Sequence, residues 1–109
     1  MTDLEITKLC AEAMAYRCTG GSCSEPAVRV EIPVELSGQG HYREFAFDPL
    51  HDDAQCMELF KKFISRCGKR ETGYWWVEDH FGNAAGMHKD LNRAICECCA
   101  RMQLAKAKP

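Results

Sequence analysis

Apolar and polar residues follow one another along this chain with two periods. At the start, Ile6, Leu9, Cys10, Ala13 and Met14 recur every three or four positions and mark one stripe of an amphipathic helix. Thr2, with Glu5 three residues on, has the form of a capping box. The spacing predicts a helix over 2–17, ended by Gly20-Gly21. The period then changes to two: Val28, Val30, Ile32, Val34 and Leu36 alternate with Arg29, Glu31, Pro33 and Glu35. After Ser37-Gly38-Gln39-Gly40 a second strand-like run covers 41–47, which predicts an antiparallel hairpin over 27–47 with Pro33 marking a sheet edge.

Asp48-Pro49 breaks that run. Cys56, Leu59, Phe60, Phe63, Ile64 and Cys67 return to helical spacing and predict a helix over 53–67, opened by Asp52 and Asp53 and stopped by Gly68. The β-formers from Tyr74 to Val77 predict a strand over 74–80. Residues 81–87, with Gly82, Asn83 and Gly86, read as a loop. A last helix is expected over 89–106, with Leu91, Ile95, Cys98, Met102 and Ala105 facing inward and Cys96 off that face. The order α-β-β-α-β-α over residues 1–109 describes a single α+β domain. Its expected architecture is a small, mainly antiparallel three-stranded sheet with helices packed on it.

Composition narrows the class. Apolar residues at 46% and charged residues at 28% are an ordinary globular balance, which excludes a disordered tail or a coiled-coil rod. No apolar run approaches a membrane span, and the acidic N-terminus lacks the features of a secretory signal, so a cytoplasmic protein without a membrane partner is expected. The net charge of −2 argues against general nucleic-acid binding. Charge is nonetheless segregated: residues 25–58 hold eight carboxylates against two arginines, and residues 61–70 hold five bases and no acid. This is either an ordinary solvated surface or an acidic face that meets a basic partner.

Candidate chemistry starts with the eight cysteines. In a reducing compartment they are expected as free thiols, with Cys10, Cys56, Cys67 and Cys98 in the core. Cys18 and Cys23 flank a Gly-Gly loop, and Cys96 and Cys99 lie three apart on a helix. These four are either solvent-facing or partly packed thiols, or the ligands of a structural zinc; no other cofactor is indicated. His51-Asp52-Asp53 could serve a small metal-dependent hydrolase, although the same residues are what a helix start requires. Tyr74 and Trp76 point together to one side of their strand, as a contact surface or as core beneath a second helical layer. No phosphate-binding loop, nucleophile elbow or dinucleotide fingerprint is present, so no catalytic residue is assigned.

One stretch carries a family pattern. Phe47 to Phe63, with its aromatic-x-Pro-x-x-Asp-Asp opening into a helix, resembles small phage and prophage proteins with the phage ABA sandwich domain. The helix around Ile6–Ala13, the strand at Trp75–Val77 and the closing helix around Asn92–Ala100 follow the same order. The resemblance implies an α/β/α layered fold and a phage gene, and it brings no established activity or catalytic residue. The expected function is therefore non-enzymatic: binding and inhibiting or modulating a host protein or complex in the host cytoplasm. Its sharpest form is an anti-CRISPR type inhibitor of host defence. Such a protein would block its target sterically through Glu31, Glu35, Glu44, Asp48, Asp52 and Asp53, or through Tyr74 and Trp76. It is expected as a monomer or a homodimer, since Pro33 discourages edge pairing while exposed Tyr74 and Trp76 would favour association.

Overall fold

A computed structural model describes residues 1–20, 23–32, 43–80, 82 and 84–107. The elements in chain order are α1 (Asp3–Ala13), β1 (Arg17–Cys18), β2 (Val28–Ile32), β3 (Arg43–Phe47), α2 (Asp53–Phe63), β4 (Ile64–Lys69), β5 (Trp75–Asp79), β6 (Ala85–His88) and α3 (Leu91–Ala107). The fold is a mixed α+β one with antiparallel sheet and packed helices, as the hydrophobic periods indicate. The strands form two three-stranded sheets, β1-β2-β3 and β4-β5-β6, where the sequence pattern indicates one. Three strands that the hydrophobic pattern does not announce, β1, β4 and β6, account for the difference.

Local chemistry sets the helix starts. The Thr2 side chain accepts the Glu5 N–H at 3.1 Å and its hydroxyl donates to the Glu5 carboxylate, a closed capping pair. Asp52 caps α2 by accepting the Gln55 N–H at 3.0 Å. The helix ends are less visible in the sequence. α1 stops at Ala13 because Ala15 takes a left-handed φ of 62°, with Ala15 N–H donating to Glu12 O and Tyr16 N–H to Ala11 O, each at 2.9 Å. This is a Schellman end built on alanine, and it leaves Arg17-Cys18 free to pair with Glu31 and Val30. α2 stops at Phe63, and Ile64 enters β4 directly, pairing with Asp79 across the sheet. The expected final turn of that helix, including Cys67, is therefore strand, and Cys67 is exposed instead of buried.

The β2–β3 ladder is antiparallel, as expected of a hairpin, and runs from Val28↔Phe47 to Ile32↔Arg43. The strand ends at 33–36, with Glu35 and the edge role of Pro33, and the turn at 37–40 lie outside the described residues, as do 41 and 42.

The helices join the two sheets. α1 packs on β1 and β2 and on α3; α3 packs also on α2, β5 and β6. α3 is thus covered on nearly every side: Ala94, Ile95, Cys96, Cys98, Cys99 and Ala100 are all buried. A helix whose middle is buried on every side but that of Glu97 is a core helix, and this overturns the reading of Cys96 as lying off the inner face and of Cys96 and Cys99 as solvent-facing or partly packed. Arg93 ties α3 to α1 through Asp3 while also pairing with Glu97. Asn92 ties α3 to α2 by donating to Asp53 at 2.7 Å.

Gly86 explains β6. A Cβ at this position would overlap the carbonyl oxygen of Ala94, so the strand lies directly against the α3 backbone and only glycine fits there. On the opposite face of the same sheet a Cβ at Gly68 would come within 2.8 Å of the Trp76 indole. Gly68 and Trp76 are cross-strand partners, and the ring covers the missing side chain.

Candidate functional site

The face built by β2, β3 and α2 carries the most distinctive surface geometry. On β3, Phe45 and Phe47 point to the same side, and Tyr16, placed by the Schellman turn, joins them. Every pair of the three rings is nearly perpendicular: Tyr16–Phe45 at 5.6 Å and 81°, Tyr16–Phe47 at 5.4 Å and 88°, Phe45–Phe47 at 6.3 Å and 82°. Edge-to-face contacts of this kind add to the burial energy of the rings, by about 0.5–1.5 kcal/mol per pair. Phe47 is buried at the base, while Tyr16 and Phe45 keep part of their surface.

The rings, with Ile32, form one wall of an open groove of about 380 Å³. Ala54, Gln55 and Glu58 of α2 form the other. Gln55 fixes that wall against the strand, because its side chain accepts the Asp48 N–H at 2.6 Å and donates to Ala46 O at 2.9 Å. Ala54 and Glu58 are one turn apart and share a helix side. Glu58 is exposed and forms no ion pair among the described residues.

The sequence-derived acidic residues are arranged differently from this groove. Glu31 and Glu44 sit directly opposite one another on β2 and β3. Like charges in that position repel, and each is offset by an arginine: Arg17 on Glu31 and Arg29 on Glu44, both at 2.9 Å. Asp48 accepts from or pairs with His51 at 3.0 Å, Asp52 caps α2, and Asp53 holds Asn92. His51, Asp52 and Asp53 are thus each engaged in the start of α2 or its attachment to α3. Glu35 lies outside the described residues.

Trp76 lies on the face of β5 away from α3, and Tyr74, just before the strand, is 37% exposed, so α3 is not a second helical layer over them. Lysines of the chain itself approach neighbouring rings: Lys89 Nζ stands 5.7 Å from the Tyr74 centroid, and Lys69 Nζ 5.6 Å from that of Trp75.

The four cysteines named for zinc are divided. Cys18 and Cys23 line one shallow groove beside Lys8 and Arg29, whereas Cys96 and Cys99 are buried in α3. Among the described residues no three His, Cys, Asp or Glu side chains are arranged to hold a metal ion. The partners of Cys96 are instead thiols from the other two helices. Hydrogen bonding with Cys10 foremost, and burial, hold the Cys96 thiol protonated far above the ordinary range. Cys56 is raised still further, by hydrogen bonding with Cys96 and by burial. Cys10 also donates to Cys96 O at 3.4 Å, and Cys56 to Asn92 O at 3.7 Å. Burial raises Cys99 as well, and pushes Cys98 up to about 12 with help from the Asp79 carboxylate. Thiols held in this state are poor nucleophiles and serve as packing.

The groove went unnoticed in the sequence because Tyr16 falls inside the expected helix and Glu58 is one acid among many. The available signal was the pair Phe45 and Phe47, two aromatics on one strand face opposite Val28 and Val30. No helix among the described residues is long and apolar enough to cross a membrane. No protein-family model, curated protein or solved structure matches the chain.

Proposed function

We propose that this chain is a non-enzymatic binding domain whose contact surface is the β2–β3–α2 face. The observation that carries the reading is the open groove between the Tyr16–Phe45–Phe47 cluster and the Ala54–Glu58 side of α2. Aromatic rings set in a firm frame beside a charged residue are what protein interfaces use as anchors. The frame is firm here because Gln55 clamps helix to strand and Phe47 is seated in the core. The sequence resemblance to phage proteins supplies the class of partner in this proposal: a host protein, bound and sterically blocked, as an inhibitor of host defence would do. The pairing of Glu31, Glu44 and Asp48 within the chain moves the weight of the reading from the acidic residues to the groove.

A photo-reactive amino acid placed at exposed Ala54 or at exposed Met87 tests this in host cells. The expected result is one dominant host protein cross-linked from position 54 and not from position 87. Cross-linking from position 87 alone would move the interface to the Trp76 side of β5, and none from either position under native expression would contradict the binding reading.

A further inference from the structure

β3 is an edge strand, paired with β2 on one side only. The ladder fixes which of its backbone groups face outward. Arg29 O accepts the Thr19 N–H at 3.0 Å, so the backbone groups of Arg29 are directed to β1 and away from its β3 partner Ala46. Backbone direction alternates along a strand. Glu44 and Ala46 therefore turn their N–H and C=O groups to the open edge, while Arg43, Phe45 and Phe47 turn theirs to β2. Gln55 obeys the same parity: its carboxamide donates to Ala46 O and accepts from the Asp48 N–H, two groups of that outer edge. A side-chain amide of α2 thus stands where a next strand would, and it closes the edge at the C-terminal end of β3. The N–H and C=O of Glu44 and the N–H of Ala46 have no partner among the described residues, and both residues are exposed.

The other edges carry features that discourage pairing. β4 has a register break between Ile64 and Arg66 and the cations Arg66 and Lys69. On β6, Arg101 donates to Ala85 O, and β1 is two residues long. β3 pairs with β2 through five consecutive positions and contains neither lysine nor proline. Donors and acceptors alternating along a sheet edge are matched by an extended backbone, and in an antiparallel pair one residue exchanges both bonds with Glu44. Charge then selects among extended chains. Arg17, Glu31 and Glu44 stand in one row across the sheet, so the row ends at the open edge on a carboxylate. A basic residue opposite Glu44 continues the row favourably, and an acidic one is repelled. A second copy of this chain fits poorly: pairing about Glu44 sets the two Glu44 carboxylates opposite one another, and pairing about Phe45 needs the Ala46 C=O that Gln55 occupies. We propose that the outer edge of β3 takes up an extended segment of the partner protein as an antiparallel fourth strand, with a lysine or arginine opposite Glu44 and apolar residues on either side of it. Those apolar residues fall on the face of the sheet that carries Phe45 and Phe47, along the groove toward α2. The inference rests on the binding-domain reading above and specifies how the partner is held.

Amide hydrogen exchange of the whole ¹⁵N-labelled chain, followed by NMR, tests the proposal. In the free chain the Glu44 and Ala46 amides should exchange at least about tenfold faster than those of Phe45 and Phe47, which face β2. The probe is the peptide acetyl-Thr-Val-Lys-Val-Thr-amide. One control is N-methylated at its lysine and so lacks the N–H that reaches Glu44 O; the other has glutamate in place of lysine. Saturable protection of the Glu44 amide by the parent peptide is expected, with each control bound at least about threefold more weakly. Ala46→Pro removes an outward N–H at a position where an edge strand tolerates proline. It should weaken the parent peptide by a similar factor and leave the β2–β3 cross-peaks in place. A Glu44 amide already protected in the free chain, no saturable protection by the parent peptide, or equal binding of the N-methylated peptide would overturn strand addition. Equal binding of the glutamate peptide would overturn the basic residue opposite Glu44. Cross-linking from position 54 is read independently: a host protein captured there by a chain whose edge ignores the peptide leaves the binding domain standing and removes only strand addition.

Discussion

The two sheets of this protein have three strands each and the same antiparallel pairing, and they are put to different use. The β4-β5-β6 sheet is pressed against α3 so closely that Gly86 has no room for a Cβ, and its inward residues Val77 and Asp79 are buried. The β1-β2-β3 sheet meets the rest of the fold mainly through α1, and its aromatic side ends in an open groove. The rings differ in the same way. Trp76 fills the space above Gly68, and Tyr74 and Trp75 take lysines of the chain itself. Tyr16, Phe45 and Phe47 pack on one another and line a cavity that faces solvent. The contrast teaches that an aromatic count says little about binding; what matters is whether the fold leaves room beside the rings.

The sharpest way to break this contrast is at Gly86. Gly86→Ala forces a side chain into the α3 backbone and is expected to cost about 3 kcal/mol, measured by urea denaturation. Phe45→Leu in the other sheet is expected to cost only about 1 kcal/mol, because the residue is half-buried. Comparable losses at the two positions would show that Phe45 is held as tightly as the β6–α3 contact and would contradict an open groove beside it.

Alkaline pH sharpens the same division through the thiols of α2 and α3. Cys56, Cys96, Cys98 and Cys99 keep their protons in the folded chain at pH values where the unfolded chain releases them. The native state therefore binds more protons, and stability falls as pH rises above the ordinary thiol value of about 8.5, by up to about 1.4 kcal/mol per unit for each thiol. Below that value these groups give no slope. Denaturation midpoints between pH 7 and 10 check this, and a flat profile would contradict the packing described for α3. Under native conditions a thiol reagent is expected to modify exposed Cys18 and Cys67 and to spare Cys10, Cys56, Cys96, Cys98 and Cys99 until the chain unfolds. Mass spectrometry of the modified peptides reads this out.

A smaller effect is expected at the turn that delivers Tyr16 to the groove. Ala15 holds a left-handed φ of 62°, which glycine accepts without strain. Ala15→Gly is expected to raise stability by about 0.5–1 kcal/mol in a thermal melt and to leave the groove unchanged. A loss of stability would mean that the turn is held by something other than its backbone geometry.

What the sequence disclosed follows how local each signal is. Thr2 with Glu5, and Asp52, announce helix starts through contacts three residues long, and both stand as read. The Val28–Ile32 alternation announces a strand, and its partner is where the aromatics of β3 place it. What stayed hidden depends on distant neighbours. Ala15 ends a helix without the glycine that usually signals it. Ile64–Cys67 satisfies helical spacing and becomes strand because β5 is there to pair with it. Ala85–His88 has poor β-formers and pairs because Gly86 permits α3 to lie against it. Cys96 and Cys99 resemble ligands until three helices are seen to converge on them. The groove is hidden for the same reason: its rings come from α1's end and β3, and its carboxylate from α2.

The most direct test of the central claim is backbone NMR of the ¹⁵N-labelled chain titrated with the host protein that cross-links from position 54. The expected result is saturable shifts confined to the neighbourhood of Tyr16, β3 and the Ala54–Glu58 side of α2, with β4, β5 and β6 unaffected. Saturable shifts centred on β5 and β6, or none on the β2–β3–α2 face, would contradict the assignment of the contact surface to the β1-β2-β3 sheet.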